Sequence, residues 1–112
     1  MTSHVTTHVL DAARGRPAQG VAVRLEGADG TDWISLAAAE TDSDGRVREL
    51  GPEQLEAGDY RLTFATGAYF ERLGTDSFYP QVQITFRITD PEQHYHVPVL
   101  LSPFSYSTYR GS

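Results

Sequence analysis

Polar and apolar residues alternate with a period of two along much of this chain, the pattern of strands that bury one face. Val82, Ile84, Phe86 and Ile88 share one face of the segment from Gln81 to Thr89, with Gln83, Thr85 and Arg87 on the other. Asp59 to Thr66 alternates in the same way, as do Val21, Val23 and Leu25 against Ala22, Arg24 and Glu26. Near the start, Ser3 to Ala12 sets Thr6, His8 and Leu10 on one face and Val5, Thr7 and Val9 on the other. Trp33 to Thr41 is read as a further strand, although Ala37-Ala38-Ala39 would also suit a helix. His94 to Ser112 reads as a strand, a turn and a second strand, closed by the polar tetrapeptide Tyr109-Arg110-Gly111-Ser112. An end so rich in aromatic and titratable residues is expected to be packed, where chain ends usually fray.

Between these runs, Gly, Pro and Asp mark the turns. Asp42-Ser43-Asp44-Gly45-Arg46 is a turn in which Gly45 can supply a positive φ. Residues 67–74 alone carry helical spacing, with Tyr69, Phe70 and Leu73 on one side. Seven to eight short strands, one short helix and no strand–helix–strand rhythm predict an all-β, antiparallel β-sandwich. With 112 residues and no linker or repeat, a single domain over 1–112 is expected.

Charge narrows the function classes. The net charge is −6, which argues against a dedicated nucleic-acid binder with a basic face. All nine basic residues are arginine, so no lysine can form a Schiff base, and the absence of cysteine removes thiolate chemistry and disulfides. The first eight residues lack the basic and apolar blocks of a signal peptide, and no run is long and apolar enough for a membrane helix. A cytoplasmic protein with no membrane partner is the expectation.

The four histidines are the first candidates for chemistry. His94 and His96 are two apart, so on a strand both rings point one way. If the first and penultimate strands pair, or meet across a subunit contact, His8 and His96 could converge, and neutral imidazoles are the usual means of moving protons near pH 7. On spacing alone, a strand histidine is more often a surface residue or a satisfied core residue. A His-x-His pair plus a distant histidine could also bind zinc, but nothing supplies a second local pair of ligands. Arg46 leaves a tight turn, where it is either a solvated cation paired with an acid or a planar cation for an anionic, carbonyl-rich ligand. Packing is the plain alternative for the two phenols Tyr106 and Tyr109, and it is the favoured reading for Tyr106. No nucleophile elbow, phosphate loop or HExxH motif is present.

Four segments together resemble the 5-hydroxyisourate hydrolases, the enzyme branch of the transthyretin-like proteins. They are Ser3-His4-Val5-Thr6-Thr7-His8-Val9-Leu10-Asp11, Thr41-Asp42-Ser43-Asp44-Gly45-Arg46, His96-Val97-Pro98-Val99-Leu100-Leu101-Ser102-Pro103 and Tyr109-Arg110-Gly111-Ser112. The last is the most specific, because it separates the hydrolases from the transthyretin carriers. The resemblance implies a transthyretin-like sandwich that opens a ring amide of 5-hydroxyisourate to give 2-oxo-4-hydroxy-4-carboxy-5-ureidoimidazoline in urate breakdown. It implies His8, Arg46 and His96 as catalytic residues, and His8, Arg46, Tyr109 and Ser112 as substrate-binding residues. It further implies no metal or organic cofactor, and a homotetramer, a dimer of dimers, with its sites at the dimer–dimer contact. His94 matches no functional position of the family. Asp42 stands where asparagine is often seen, and Val99 where leucine is common. The rival readings are a non-catalytic carrier of the same fold and a monomeric interaction module. Deletion of Tyr109 to Ser112 separates them: turnover of hydroxyisourate, followed by its ultraviolet decay, should be abolished in a hydrolase, whereas an interaction module should be indifferent.

Overall fold

The computed structural model describes residues 2–112; Met1, the first residue of the expected 1–112 domain, lies outside the described residues. Nine strands and one helix follow in the order β1 (Val5–Asp11), β2 (Arg16–Pro17), β3 (Ala22–Asp29), β4 (Asp32–Glu40), β5 (Arg46–Val47), β6 (Gly58–Phe64), α1 (Thr66–Arg72), β7 (Val82–Ile88), β8 (Tyr95–Ser102) and β9 (Ser105–Thr108). Seven of the strands have four residues or more; β2 and β5 are two-residue ladders on the rim of β1. Val23, Leu25, Leu62, Phe64, Val82 and Ile88 of one sheet meet Val5, Val9, Val97, Val99 and Leu101 of the other in a buried core. Truncating one of its large side chains, Phe64 for example, would typically cost about 3–5 kcal/mol.

One sheet runs β4-β3-β6-β7, all antiparallel. The other runs β2-β1-β8-β9, with β5 also pairing β1. Its central pair, β1 with β8, is parallel over seven positions, from Val5 opposite Tyr95 to Asp11 opposite Leu101, which departs from a purely antiparallel sandwich. Parallel neighbours need a long crossover, and here the whole β4-β3-β6-β7 sheet and the helix lie within it. The Ala-rich segment is strand β4, because its positions pair with β3 through a bulge at Leu25/Glu26. The helix buries Thr66, Tyr69 and Phe70, but Leu73 is the residue after its last turn and stands 40% exposed, so the expected apolar side is shorter than its spacing suggested. Among the described residues, no helix is long and apolar enough to cross a membrane.

Polar side chains fix β1 at both ends. Leu50 N–H donates to Ser3 Oγ at 2.8 Å, and Thr7 Oγ1 donates to the Val97 carbonyl at 2.6 Å. His4 is buried and bonded on both ring nitrogens: the Leu55 N–H donates to Nδ1 at 2.7 Å, which leaves Nε2–H to donate to the Gln93 carbonyl at 2.6 Å. At the far end, Tyr69 Oη of the helix donates to Asp11 Oδ2 at 2.8 Å.

The turn before β5 has φ +75° at Gly45, as its sequence predicts, and a Cβ there would press on the Val9 carbonyl oxygen. The cost of a non-glycine residue in such a conformation is about 1–3 kcal/mol. Gly45→Ala should therefore lower stability by at least that order, seen as an earlier midpoint in urea unfolding; an unchanged midpoint would show that the turn is not under this constraint.

Candidate active site

Because the side chains of a strand alternate, the face of β1 that carries Val5, Thr7 and Val9 is buried in the core, and the face of Thr6, His8 and Leu10 looks out. Three neighbours bring functional groups to that outer face. Antiparallel β5 puts Arg46 opposite His8, and parallel β8 puts His96 opposite Thr6 and Pro98 opposite His8. The condition for convergence of the first and penultimate strands is thus met, with His8 one pleat beyond the residue that faces His96.

The Asp42 turn sets the position of Arg46. Asp42 Oδ1 accepts the backbone N–H of Asp44 at 2.9 Å and of Arg46 at 3.0 Å, while Arg48 Nη1 donates to Oδ2 at 3.1 Å. The Arg46 amide, followed by that of Asp44 and the Arg48 charge, holds the Asp42 carboxyl below the usual carboxylate range. Asparagine could accept both amides through its one oxygen, but only aspartate adds the ion pair with Arg48.

A cleft of about 250 Å³ opens here, lined by Thr6, Arg46, His94, His96 and Ser112 among others. Of the residues that the family resemblance implies, Arg46, His96 and Ser112 line it directly, and His94, a candidate by its spacing alone, lines it too. His8 stands beside it, its backbone paired to Arg46. Tyr109 does not line it: it is 58% exposed and borders a second hollow of about 170 Å³, with Ile84, Phe86, Tyr95, Val97 and also His96, the residue common to both spaces.

The end of the chain is bonded yet exposed, so the expected packing of the tail is not found within one chain. β9 pairs with β8 along Val99–Ser102, and the tail returns to the same edge, where Gly111 N–H donates to the His96 carbonyl at 2.9 Å. Arg110 lies over the Tyr95 ring at 4.3 Å and donates to Gln93 Oε1 at 3.1 Å. A Cβ at Gly111 would come within 2.6 Å of His96 Cδ2, so only glycine lets the tail pass this close to the imidazole. Ser112 reaches the cleft through that contact.

Sequence spacing missed one contact. Thr6 Oγ1 lies 2.8 Å from His94 Nε2 and 2.8 Å from His96 Nδ1. His94, placed on the strand by its spacing, precedes β8 by one residue, yet both rings reach the same hydroxyl. Only the facing of β1 and β8 could have indicated this. Among the described residues, no group of three or more His, Cys, Asp or Glu side chains is arranged to hold a metal ion.

Burial, and then the Arg46 guanidinium, hold both His8 and His96 below the ordinary imidazole value; for His96, His8 and His94 add to the effect. The hydrogen bond of the His8 ring to the Asp44 carbonyl acts the other way. Near neutral pH the cleft therefore holds neutral imidazoles beside a permanent cation, a set that can take up or deliver protons and bind an anionic, carbonyl-bearing ligand.

Residues 5–111 match the model of the HIUase/Transthyretin family. The 5-hydroxyisourate hydrolase of Salmonella typhimurium is 48% identical over 109 residues, covering 96% of this chain and 80% of that protein. Among solved structures, Klebsiella pneumoniae 5-hydroxyisourate hydrolase is 42% identical with a TM-score of 0.86, covering 96% of this chain and 98% of that one. Sea bream transthyretin in complex with thyroxine has a TM-score of 0.90 at 35% identity, covering 96% and 93%. Backbone shape is thus shared with enzyme and thyroxine binder alike.

Followed by NMR, His8 and His96 should titrate below about pH 6.5, the ordinary imidazole value. Arg46→Gln should move both midpoints upward, because it removes a cation that disfavours the protonated rings. Stability carries the same sign: unfolded imidazoles take up protons that the folded ones refuse, so it should fall as pH drops below about 6.5. Midpoints unmoved by Arg46→Gln would separate the guanidinium from the rings.

Proposed function

The chain belongs to the HIUase/transthyretin family, and on that premise we propose that it hydrolyses 5-hydroxyisourate to 2-oxo-4-hydroxy-4-carboxy-5-ureidoimidazoline in urate degradation. The observation that carries this reading is the cleft itself, where the Arg46 guanidinium and the His96 imidazole line one space with His8 alongside.

Opening a ring amide requires an activated water, a counter-charge for the developing oxyanion and a proton for the departing nitrogen. His8 and His96 share the base and acid roles. Held below the usual imidazole range, both are neutral at physiological pH, so either can accept the proton of the attacking water. Arg46 stays charged throughout; its planar donors bind the carbonyl-rich anionic ring and stabilise the oxyanion. Ser112 and Tyr109 bind substrate by hydrogen bonds. No step calls on a metal or organic cofactor.

The proposal includes one domain, a cytoplasmic location and a homotetramer built as a dimer of dimers. Exposure supports the assembly. Every residue of β9 is exposed, and Phe78, Phe104, Tyr106 and Tyr109 present large rings to solvent on a single chain. Isolated apolar residues at a surface are ordinary, but rings concentrated around an open edge strand are the composition of an interface. In the tetramer, a neighbouring copy completes the cleft, and Tyr109, outside the cleft of its own chain, becomes available to a neighbour.

A carrier reading has the fold in its favour and nothing in the cleft. A ligand store gains little from two neutral imidazoles beside a fixed cation.

Urate oxidised by urate oxidase accumulates hydroxyisourate, whose ultraviolet absorbance should decay faster with this protein present. His96→Ala, shown still to be tetrameric, should lose roughly 10²–10⁴-fold in turnover. Decay at the spontaneous rate with folded wild-type tetramer would leave the carrier.

A further inference from the structure

Thr6 and His94, which the reaction above leaves unused, form one hydrogen-bond set with the His96 ring. Thr6 Oγ1 sits 2.8 Å from His94 Nε2 and 2.8 Å from His96 Nδ1, and Thr6 is only 8% exposed. A hydroxyl has one proton. Bonded to two ring nitrogens, it donates to one and accepts from the other, so the protonation of the two rings is linked through it.

Two arrangements satisfy that arithmetic. In one, His96 Nδ1–H donates to Thr6 Oγ1, and the Thr6 hydroxyl donates to His94 Nε2. In the other, every donor and acceptor is reversed, and the proton of His96 sits on Nε2. The surroundings choose between them. The Thr6 carbonyl also stands against the His96 ring as a hydrogen-bond partner, and a carbonyl only accepts, so it favours a proton on the side of the ring facing Thr6. His94 is exposed, and its Nδ1 is free to keep a proton in contact with water.

We propose that Thr6, backed by His94, holds His96 as the Nδ1–H tautomer and leaves Nε2 as the bare nitrogen that receives the proton of the attacking water. Thr6 and His94 are then positioning residues, and His96 is the base at the start of the reaction. This rests on the hydrolase reading. The balance is simple: the water O–H bond breaks as Nε2–H forms, the water oxygen bonds the ring carbonyl carbon while the carbonyl π pair moves onto its oxygen, and when that pair returns the C–N bond breaks and the departing nitrogen takes the proton from Nε2. While His96 carries two protons, its Nδ1–H bond to Thr6 strengthens, since a charged donor makes the stronger bond.

His8 and Thr6 come to the ring from β1, Arg46 from β5, His94 from the residue before β8, and Gly111 and Ser112 from the tail, while the second hollow that His96 borders adds Arg87 of β7 with Tyr109 and Arg110. Arg46, His8 and His94 act on His96 by charge, and all three oppose a second proton on it. Among the described residues the Thr6 hydroxyl is bonded to His96 Nδ1 and the Thr6 carbonyl acts on the same ring as an acceptor, so it is Thr6 that selects the tautomer.

The direct test is the ring-nitrogen spectrum of ¹⁵N-labelled wild-type protein above pH 7 without substrate. His96 should show a protonated Nδ1 and a bare Nε2; a protonated Nε2 overturns the proposal. Thr6→Val keeps the branched shape and removes the hydroxyl. It should give a mixed tautomer signal and lower kcat with little change in KM. Loss of an orienting partner costs metal-bound histidines about 10–100-fold, and a loss of that order is expected here. Thr6→Ser should restore most of it. His94→Phe, at an exposed position, serves if the valine variant does not fold, and should shift the same tautomer signal. Wild-type kcat and an unmoved pH profile in either variant would overturn the proposal while leaving the hydrolase reading intact. Absence of turnover in the wild type would sink the hydrolase reading, and the ring spectrum would still decide the tautomer.

Discussion

The site depends on one pairing, the parallel ladder between β1 and β8. Its register puts His96 opposite Thr6, and the opposite edge of β1 accepts β5 with Arg46 opposite His8. A strand that slips by one residue turns every side chain to the other face. Such a slip would bury His8 among the valines and expose Val9. The buried valines thus hold the histidines on the outer face: the core excludes every slip by an odd number of residues. Ser3 and His4 just before the strand, and Thr7 and Asp11 within it, add directional bonds, so the ladder is pinned by polar contacts as well as by burial.

The two loops that matter most are fixed by single residues. Gly45 allows the chain to turn against the Val9 carbonyl, and the Asp42 carboxylate gathers the amides that follow. Gly111 passes over the edge of the His96 ring where any larger residue would collide. Arg46 and Ser112 reach the cleft because a glycine next to each lets the backbone come close.

Much of this was legible in the sequence, and the boundary has a physical meaning. Alternation along β1, β3, β6 and β7 marked these runs as strands and sorted their residues onto two faces, because period two depends only on local geometry. The Gly45 turn was visible for the same reason. The parallel sense of β1 and β8 was not visible, because the direction of a pair is set by the route of the chain between its members. The Thr6–His94–His96 set was hidden too: 88 and 90 residues separate the hydroxyl from its two partners, and a threonine on a strand looks like any other. Tyr109 is the residue for which motif and single chain disagree most. It belongs to the tetrapeptide that resembles the hydrolases, yet it lies beyond the cleft that Ser112 enters. Leu73 shows the opposite error, an apolar residue whose spacing fitted a helix that ends before it.

Seven consecutive residues of β1 spell two interleaved messages. Odd positions, Val5, Thr7, Val9 and Asp11, specify the fold; even positions, Thr6, His8 and Leu10, face the cleft side. The two alphabets share a strand without sharing a surface, so each can be rewritten while the other is left alone. A lineage could erase the chemistry by changing every second letter and keep the architecture whole. That is a short evolutionary path between a hydrolase and a binding protein whose backbones superpose this closely.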